Sequence, residues 1–376
     1  MSNQPIAVLG GGNVGHTIAA DLTLAGYKVN FYEHPQFEET FKTTLEKGVV
    51  EIEDEKTGRH ERARIHNVTT DMKEAISDVR LILVALPSFG QELFFNTMIP
   101  YLKDGQVVFV MTGNFGSLRL RKLLSEKVPN LKITIYETCT MPYGTRLVGP
   151  ARVSVHWGVG PWIGTQSMAG LPKRVRPVCA LPAKDTNVAL EEFQKLYPLF
   201  SPAKNVLISV LNNANFVIHP APSMLSAGRI EYANLYLKCD FRLHREAHTP
   251  SVRRIEDGIA DEMAALIRTL GDNVAITKTW VKEWSDYQQT VPIEHVSLGP
   301  RTLRDRYITE DIPYGLVPMS ELGEKLGVAT PLINAFIEIA SVLNQEDYRK
   351  TGRTLEYLGL AELSKEQIVK LVEEGI

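Results

Sequence analysis

The chain has 376 residues, 44% of them apolar and 23% charged, with a formal charge of −3. That length exceeds one typical core and is ample for two, and the charge gives no electrostatic reason for a nucleic acid or anionic membrane partner. Cys139, Cys179 and Cys239 are odd in number, widely separated and free of C-x-x-C spacing, which argues against a disulfide frame or a zinc site.

The first element is Pro5-Ile6-Ala7-Val8-Leu9-Gly10-Gly11-Gly12-Asn13-Val14-Gly15. It reads as a short buried strand, a glycine turn and the start of a helix, with glycines at Gly10-x-Gly12-x-x-Gly15. In that pattern Gly10 permits the tight turn, Gly12 lets backbone approach a pyrophosphate, and Gly15 lets helix and strand pack closely. The helix start at Asn13 and Val14 offers free N–H groups and a positive dipole end to phosphates. Lys28–Tyr32 reads as the second strand and ends at Glu33, an acid at the distance where a dinucleotide fold needs an acceptor for the adenine ribose. The spacing predicts a dinucleotide site.

A polar helix is predicted over 36–47, then short strands around Val49–Glu53 and Arg62–His66 hinged at Lys56-Thr57-Gly58. Asp71 is placed to cap a short helix through Ile76. Val79–Ala85, Gln106–Met111 and Lys132–Glu137 are the continuous apolar runs of strands buried on both faces, with helices between them. Such a parallel sheet binds ligands beyond its carboxyl ends, which include Leu86-Pro87, Thr112-Gly113-Asn114 and Glu137-Thr138. From Arg146 to Leu181 the pattern is β-like, punctuated by Gly158-Val159-Gly160-Pro161 and Leu171-Pro172, and extends the first domain. Asn187–Tyr197 is its last helix, and Phe200-Ser201-Pro202 is the predicted joint.

Beyond the joint, helix follows helix. One predicted helix carries Ile255, Ile259, Met263, Ile267 and Leu270 until Gly271 stops it. Another runs from Thr330-Pro331 to Asn344, and Ser364-Lys365-Glu366-Gln367 has capping-box spacing before a last one. The expected architecture is α/β: a Rossmann dinucleotide-binding domain over 1–202, then an all-α domain over 203–376, with the cleft between them as the expected active site.

Two stretches of the second domain could carry chemistry. In Leu207–Pro220, read as one helix, Asn212, Asn215 and His219 form a polar stripe, and Pro220 kinks or ends the helix. His219 is either a proton-transfer group or a core histidine with bonded nitrogens, and the helix pattern leaves both open. Leu303–Pro318 concentrates charges, aromatics and turn residues. It reads either as a functional loop with a carboxylate-gripping arginine or as a solvated linker.

His219-Pro220, Ala227-Gly228-Arg229-Ile230-Glu231, Arg306–Val317 and Gly352-Arg353-Thr354-Leu355-Glu356 resemble the octopine/nopaline (opine) dehydrogenase family over nearly the whole chain. The resemblance implies a second domain like the 6-phosphogluconate dehydrogenase C-terminal domain. It implies His219 as proton donor and acceptor paired with Asp311, and Arg306 as the anchor for a keto-acid carboxylate. Asn114, Glu137 and Thr138 fall at positions that face substrate. The cofactor set is Gly10, Gly12, Asn13, Val14, Gly15, Glu33, Leu86 and Pro87, holding NAD, with NADH preferred over NADPH. The implied reaction is the NAD-dependent reductive condensation of an amino acid with an α-keto acid, without a metal. The rivals are a 2- or 3-hydroxy-acid dehydrogenase on the same plan, whose helical lysine is absent between Leu207 and His219, and a silent nucleotide-sensing module. With no signal pattern at the amino terminus and no membrane-length apolar run, the expectation is a cytoplasmic protein, possibly a homodimer, with no nucleic acid or membrane partner.

Overall fold

The computed structural model describes residues 4–166 and 176–376 apart from positions 274, 276, 294, 295 and 297; Leu171-Pro172 lies outside the described residues. The chain forms two compact units, one of Met1–Val210 with Val372–Gly375, the other of Leu211–Leu371 with Ile376. Among the described residues no helix is long and apolar enough to cross a membrane.

The first unit is built on strands β1 (Ile6–Leu9), β2 (Val29–Tyr32), β3 (Val49–Asp54), β4 (Arg59–Arg64), β5 (Asn67–Thr69), β6 (Leu81–Val84), β7 (Val107–Val110), β8 (Thr134–Thr138), β9 (Tyr143–Gly149), β10 (Arg152–Gly160), β11 (Gly164–Thr165), β12 (Arg176–Leu181) and β13 (Phe200–Pro202). The main sheet runs β13-β12-β8-β7-β6-β1-β2-β5, with its central pairs parallel. Successive residues serve opposite faces: Val8, Phe31, Leu83 and Phe109 pack into one core and Ala7, Leu9, Ile82 and Val84 into the other. That two-sided burial is why these strands are uninterrupted apolar runs.

The β-like region from Arg146 supplies further strands of the first unit, not all of them in the main sheet. β9 and β10 join the β3–β4 hairpin in a second sheet, and β12 enters the main sheet antiparallel to β8. Gly158 and Gly160 lie inside β10, where a Cβ would press on Tyr143 and, at Gly160, on Asp21; they are close-packing glycines, not turn residues. Phe200–Pro202 is an edge strand paired parallel to β12, not a joint.

The second sheet explains why helix Asn13–Leu24 is buried nearly all round, Thr17 and Asp21 included. Thr17 Oγ1 lies 2.8 Å from Thr145 Oγ1. Asp21 accepts from Tyr143 Oη at 3.0 Å and from Ile163 N at 2.7 Å. With so little solvent, burial pushes the Asp21 carboxyl up to about 6 against those two donors.

The second unit is helical, centred on Pro250–Thr269, Val317–Leu326 and Pro331–Asn344. Gly271, at φ +80°, ends the first of these, and Pro331 opens the last at its first position. The Ser364 capping box forms: Ser364 N donates to Gln367 Oε1 at 2.8 Å, and Gln367 N to Ser364 Oγ at 3.3 Å. The predicted helix Leu207–Pro220 is broken instead. Helix Val206–Val210 ends, Asn213 Oδ1 accepts from Asn215 N at 3.0 Å, and short helices follow at Asn215–Ile218 and Pro220–Leu225. An asparagine that offers the backbone its own acceptor competes with the helix ladder, and the Asn212–Asn213 pair sits where the ladder breaks.

Candidate active site

In the first unit the glycine turn does what its spacing implies. Gly10 sits at φ +108°, and a Cβ there would come within 2.8 Å of Ala85 O and 2.6 Å of Leu86 Cδ2. A Cβ on Gly15 would stand 1.7 Å from Gly10 O, so helix and strand touch backbone to backbone. A Cβ on Gly12 would meet nothing within 4 Å, so the turn is open where a pyrophosphate approaches. The residues present thus fit a dinucleotide. Pro87 precedes helix Ser88–Met98, and Leu86 packs against the turn from the neighbouring strand end. Asn13 heads the helix through its backbone, while its side-chain Oδ1 accepts from Leu147 N at 2.8 Å; Val14 is partly buried against the core. His16, one turn on, is structural. Its Nε2 lies 2.7 Å from Thr44 Oγ1, and burial lowers its pKa to about 4.

Glu33 ends the second strand with its carboxylate already engaged. Oε2 accepts from Gly11 N at 2.7 Å and Oε1 from His34 N at 2.7 Å. Burial raises its pKa, opposed by the same two N–H groups. The acid therefore braces the glycine turn.

The turn after β7 is strained: Thr112, Asn114 and Phe115 all have positive φ, at 52°, 49° and 68°. Such strain persists only where surroundings impose it, and it clusters at functional sites. Here Glu137 imposes it. Its Oε1 accepts from Phe115 N at 2.7 Å, and its Oε2 from Ser117 N at 2.9 Å and from the Ser117 hydroxyl. Thr138 Oγ1 accepts from Thr112 N at 3.0 Å and donates to Thr140 O at 3.0 Å. A Cβ on Gly113 would strike the Glu137 side chain at 2.3–2.5 Å, which fixes glycine there. Glu137 and Thr138, which the resemblance turns toward substrate, also brace this turn. Both side chains are buried, and their polar atoms hold the turn that presents Asn114. Asn114 Nδ2 donates to Ser88 Oγ at 2.8 Å, and the side chain is almost fully buried.

In the second unit His219 Nδ1 lies 2.8 Å from Asp311 Oδ2, with both side chains under a tenth exposed. The residues are 92 apart in sequence and meet for a packing reason. Phe216 fills the space over Gly315, where a Cβ would sit 2.1 Å from its ring. Arg353 N donates to Pro313 O at 2.8 Å, and Gly352 is pressed against the same carbonyl. The quoted Gly352-Arg353 pair is thus a brace for the segment that carries Asp311. That segment is not a loop: helix Arg306–Thr309 continues into a π-helical turn at Ile312–Leu316 and then into Val317–Leu326. Glu310 and Asp311, adjacent on this stretch, serve different partners.

Glu310 faces Arg306, 3.6 Å from its guanidinium, and the Arg306 side chain is about half exposed at 52%. Tyr307 stacks on the His219 ring at 4.1 Å, a contact that sequence reasoning missed although Tyr307 follows Arg306 directly. Among the described residues no group of three or more His, Cys, Asp or Glu could hold a metal ion.

A glycine-turn nucleotide unit together with a buried histidine–carboxylate pair in a helical unit defines a nicotinamide-dependent dehydrogenase. Residues 202–344 match the family model for the alpha-helical domain of NAD/NADP octopine/nopaline dehydrogenase, and residues 5–135 match that for the N-terminus of NAD-dependent glycerol-3-phosphate dehydrogenase. The opine dehydrogenase of Arthrobacter sp. (strain 1C) is 31% identical over 382 residues, covering 99% of this chain and all of its own length. A solved octopine dehydrogenase with NADH and pyruvate superposes with a TM-score of 0.73 at 19% identity, covering 97% of this chain and 98% of that one. Yersinopine dehydrogenase with NADP+ bound shares the fold at a TM-score of 0.67 and 14% identity, over 100% and 99% of the two chains. The chain belongs to the octopine/nopaline (opine) dehydrogenase family.

Proposed function

We propose that the protein condenses the amino group of an amino acid with an α-keto acid and reduces the resulting imine to a secondary amine, reversibly. The observation that carries the reading is the buried 2.8 Å contact of His219 Nδ1 with Asp311, one helical turn from the half-exposed Arg306. A nicotinamide held at the glycine turn would supply or accept the hydride. His219 Nε2 takes the proton that frees the attacking amine and returns one to the hydroxyl that leaves as water. Asp311 holds the imidazole as the Nδ1–H tautomer and stabilises it when charged. The planar fork of Arg306 receives the keto-acid carboxylate, and Glu310 keeps that fork in place.

NADH is the preferred cofactor in this reading. Glu33 opposes a 2′-phosphate, and His34-Pro35-Gln36-Phe37-Glu38 contains no Arg or Lys to receive one. The test is a panel of amino acids against pyruvate, glyoxylate and 2-oxoglutarate, following oxidation of NADH and of NADPH. Oxidation with keto acid alone would point to a hydroxy-acid dehydrogenase. Cofactor binding without turnover on any pair would point to a sensing module.

A further inference from the structure

The helical stretch from Arg306 to Leu316 grips the imidazole of His219 at two points, only one of which the reaction as derived uses. Asp311 Oδ2 lies 2.8 Å from His219 Nδ1. The ring of Tyr307 stacks on that of His219, with centroids 4.1 Å apart and planes inclined by 28°. Tyr307 and Asp311 are four residues apart, so they share one face of the stretch. Arg306 and Glu310, with the same separation, form the ion pair beside them. Asp305 fixes the start of the stretch, its side chain accepting from Tyr307 N at 3.4 Å. Tyr307 and His219 are 6% and 7% exposed, so the stack is a buried contact.

The two contacts constrain different motions. The His219 side chain has two torsions, and one hydrogen-bond distance leaves a combination of them free. Motion along that combination carries Nε2 through an arc, and a misplacement of about 1 Å can cost a hundredfold in rate. A close-packed ring face at 4.1 Å removes the freedom, because the imidazole cannot tilt toward it without a clash. The same face is the negative side of the aromatic quadrupole, which attracts the imidazole more strongly when it is charged. The stack therefore acts on the form of His219 that Asp311 also stabilises.

We propose that Tyr307 is a positioning residue for the reaction, its ring fixing the plane of the His219 imidazole and favouring the protonated form. This rests on the opine reading above, in which Nε2 of His219 moves the proton. The titratable and charged groups of the region are Asp311 at Nδ1, and Arg306, 5.9 Å from the Tyr307 ring centre and paired with Glu310. On the other element is His244, its ring 6.3 Å from that of His219; it contacts His248, which contacts Glu256 of helix Pro250–Thr269. All of these are common to wild type and Tyr307 variants, so a change in the titration of His219 reports the loss of the ring face.

The experiment compares wild type, Tyr307→Phe and Tyr307→Leu. Phenylalanine keeps the ring face, and leucine keeps apolar bulk without it. In Tyr307→Leu, kcat on an accepted pair of substrates should fall about 10- to 100-fold, with each KM changed less than about threefold. Tyr307→Phe should keep kcat within about threefold of wild type. The second readout is nitrogen NMR of the His219 ring in the substrate-free protein, with His219→Gln identifying its signals. A stack that favours the charged form raises the pH of half-protonation, so its loss lowers it. The midpoint should move down by about 0.5–1.5 pH units in Tyr307→Leu and stay in place in Tyr307→Phe. An unmoved titration in a folded Tyr307→Leu, or equal losses of kcat in the two variants, overturns the proposal. So does a lowered melting temperature with kcat of the folded fraction intact. Absence of turnover by wild type on every pair would instead reject the opine reading, and the titration would still decide whether the stack holds the charged imidazole.

Discussion

Replacing Asp311 by asparagine keeps the size of the side chain and removes the charge beside His219. The contact is 2.8 Å, both partners are buried, and the charge centres of a carboxylate and an imidazolium in that geometry lie about 4 Å apart. At an effective dielectric near 20 such a pair is worth about 4 kcal/mol, which is available only while the imidazole is protonated along the reaction. Losing it should lower kcat by about 10²–10⁴, since each 1.36 kcal/mol is tenfold. The adjacent acid is the control. Glu310 meets a half-exposed Arg306 at 3.6 Å. Screened i,i+4 pairs of that kind contribute about 0.3–0.5 kcal/mol, so Glu310→Gln should cost about twofold, mostly in KM for the keto acid. His219→Ala should match Asp311→Asn in kcat. The assay is NADH oxidation on a productive pair, with the melting temperature of each variant measured alongside. If Asp311→Asn keeps kcat within about threefold at an unchanged Tm, or if Glu310→Gln is the worse variant, the tautomer argument is refuted.

Arg306→Lys keeps the charge but loses the two-pronged fork, so KM for the keto acid should rise about tenfold while kcat changes less; equal KM values would remove Arg306 from substrate binding. Asp21 has its folded pKa raised from 3.8 to about 6, so its burial costs nothing below pH 4, begins to cost as pH rises through 4–6, and costs about 3 kcal/mol above that. Asp21→Asn should therefore raise Tm at pH 7 and flatten the stability profile between pH 4 and 6, as read by thermal melts across that range. Gly15→Ala places a methyl 1.7 Å from a backbone oxygen that cannot yield, so soluble expression or NADH binding by fluorescence titration should be lost. Wild-type kcat/KM should favour NADH over NADPH by at least about tenfold, and Glu33→Gln should narrow the gap; equal efficiency with NADPH would assign Glu33 to bracing the glycine turn alone.

What the sequence by itself determined is what depends on neighbours along the chain. The glycine turn, the apolar runs of the parallel strands, the Asp71 cap, helix Pro331–Asn344 and the Ser364 capping box are all local. Hydrogen-bond partners two to four residues away and the two-sided burial of a strand leave direct marks in residue order. The quoted motifs also named the pair His219 and Asp311, but only as a resemblance; nothing in their spacing brings them together. Their meeting depends on Phe216 lying over Gly315 and on Pro313 accepting from Arg353, contacts between segments far apart in sequence.

The same non-local physics decided the rest. Asn212, Asn215 and His219 keep helical spacing, yet the Asn213 side-chain oxygen accepts from Asn215 N where the helix breaks. Glu137 and Thr138 look like ligand groups at a strand end, and the sequence could not show that they also accept from the N–H groups of Thr112, Phe115 and Ser117 in the strained turn. The glycine turn marked the start of helix Asn13–Leu24 and could not show that a second sheet buries Thr17 and Asp21 on its polar side. A residue's partner across the fold is set by which surfaces remain to be covered once the local elements exist, and that is decided in three dimensions.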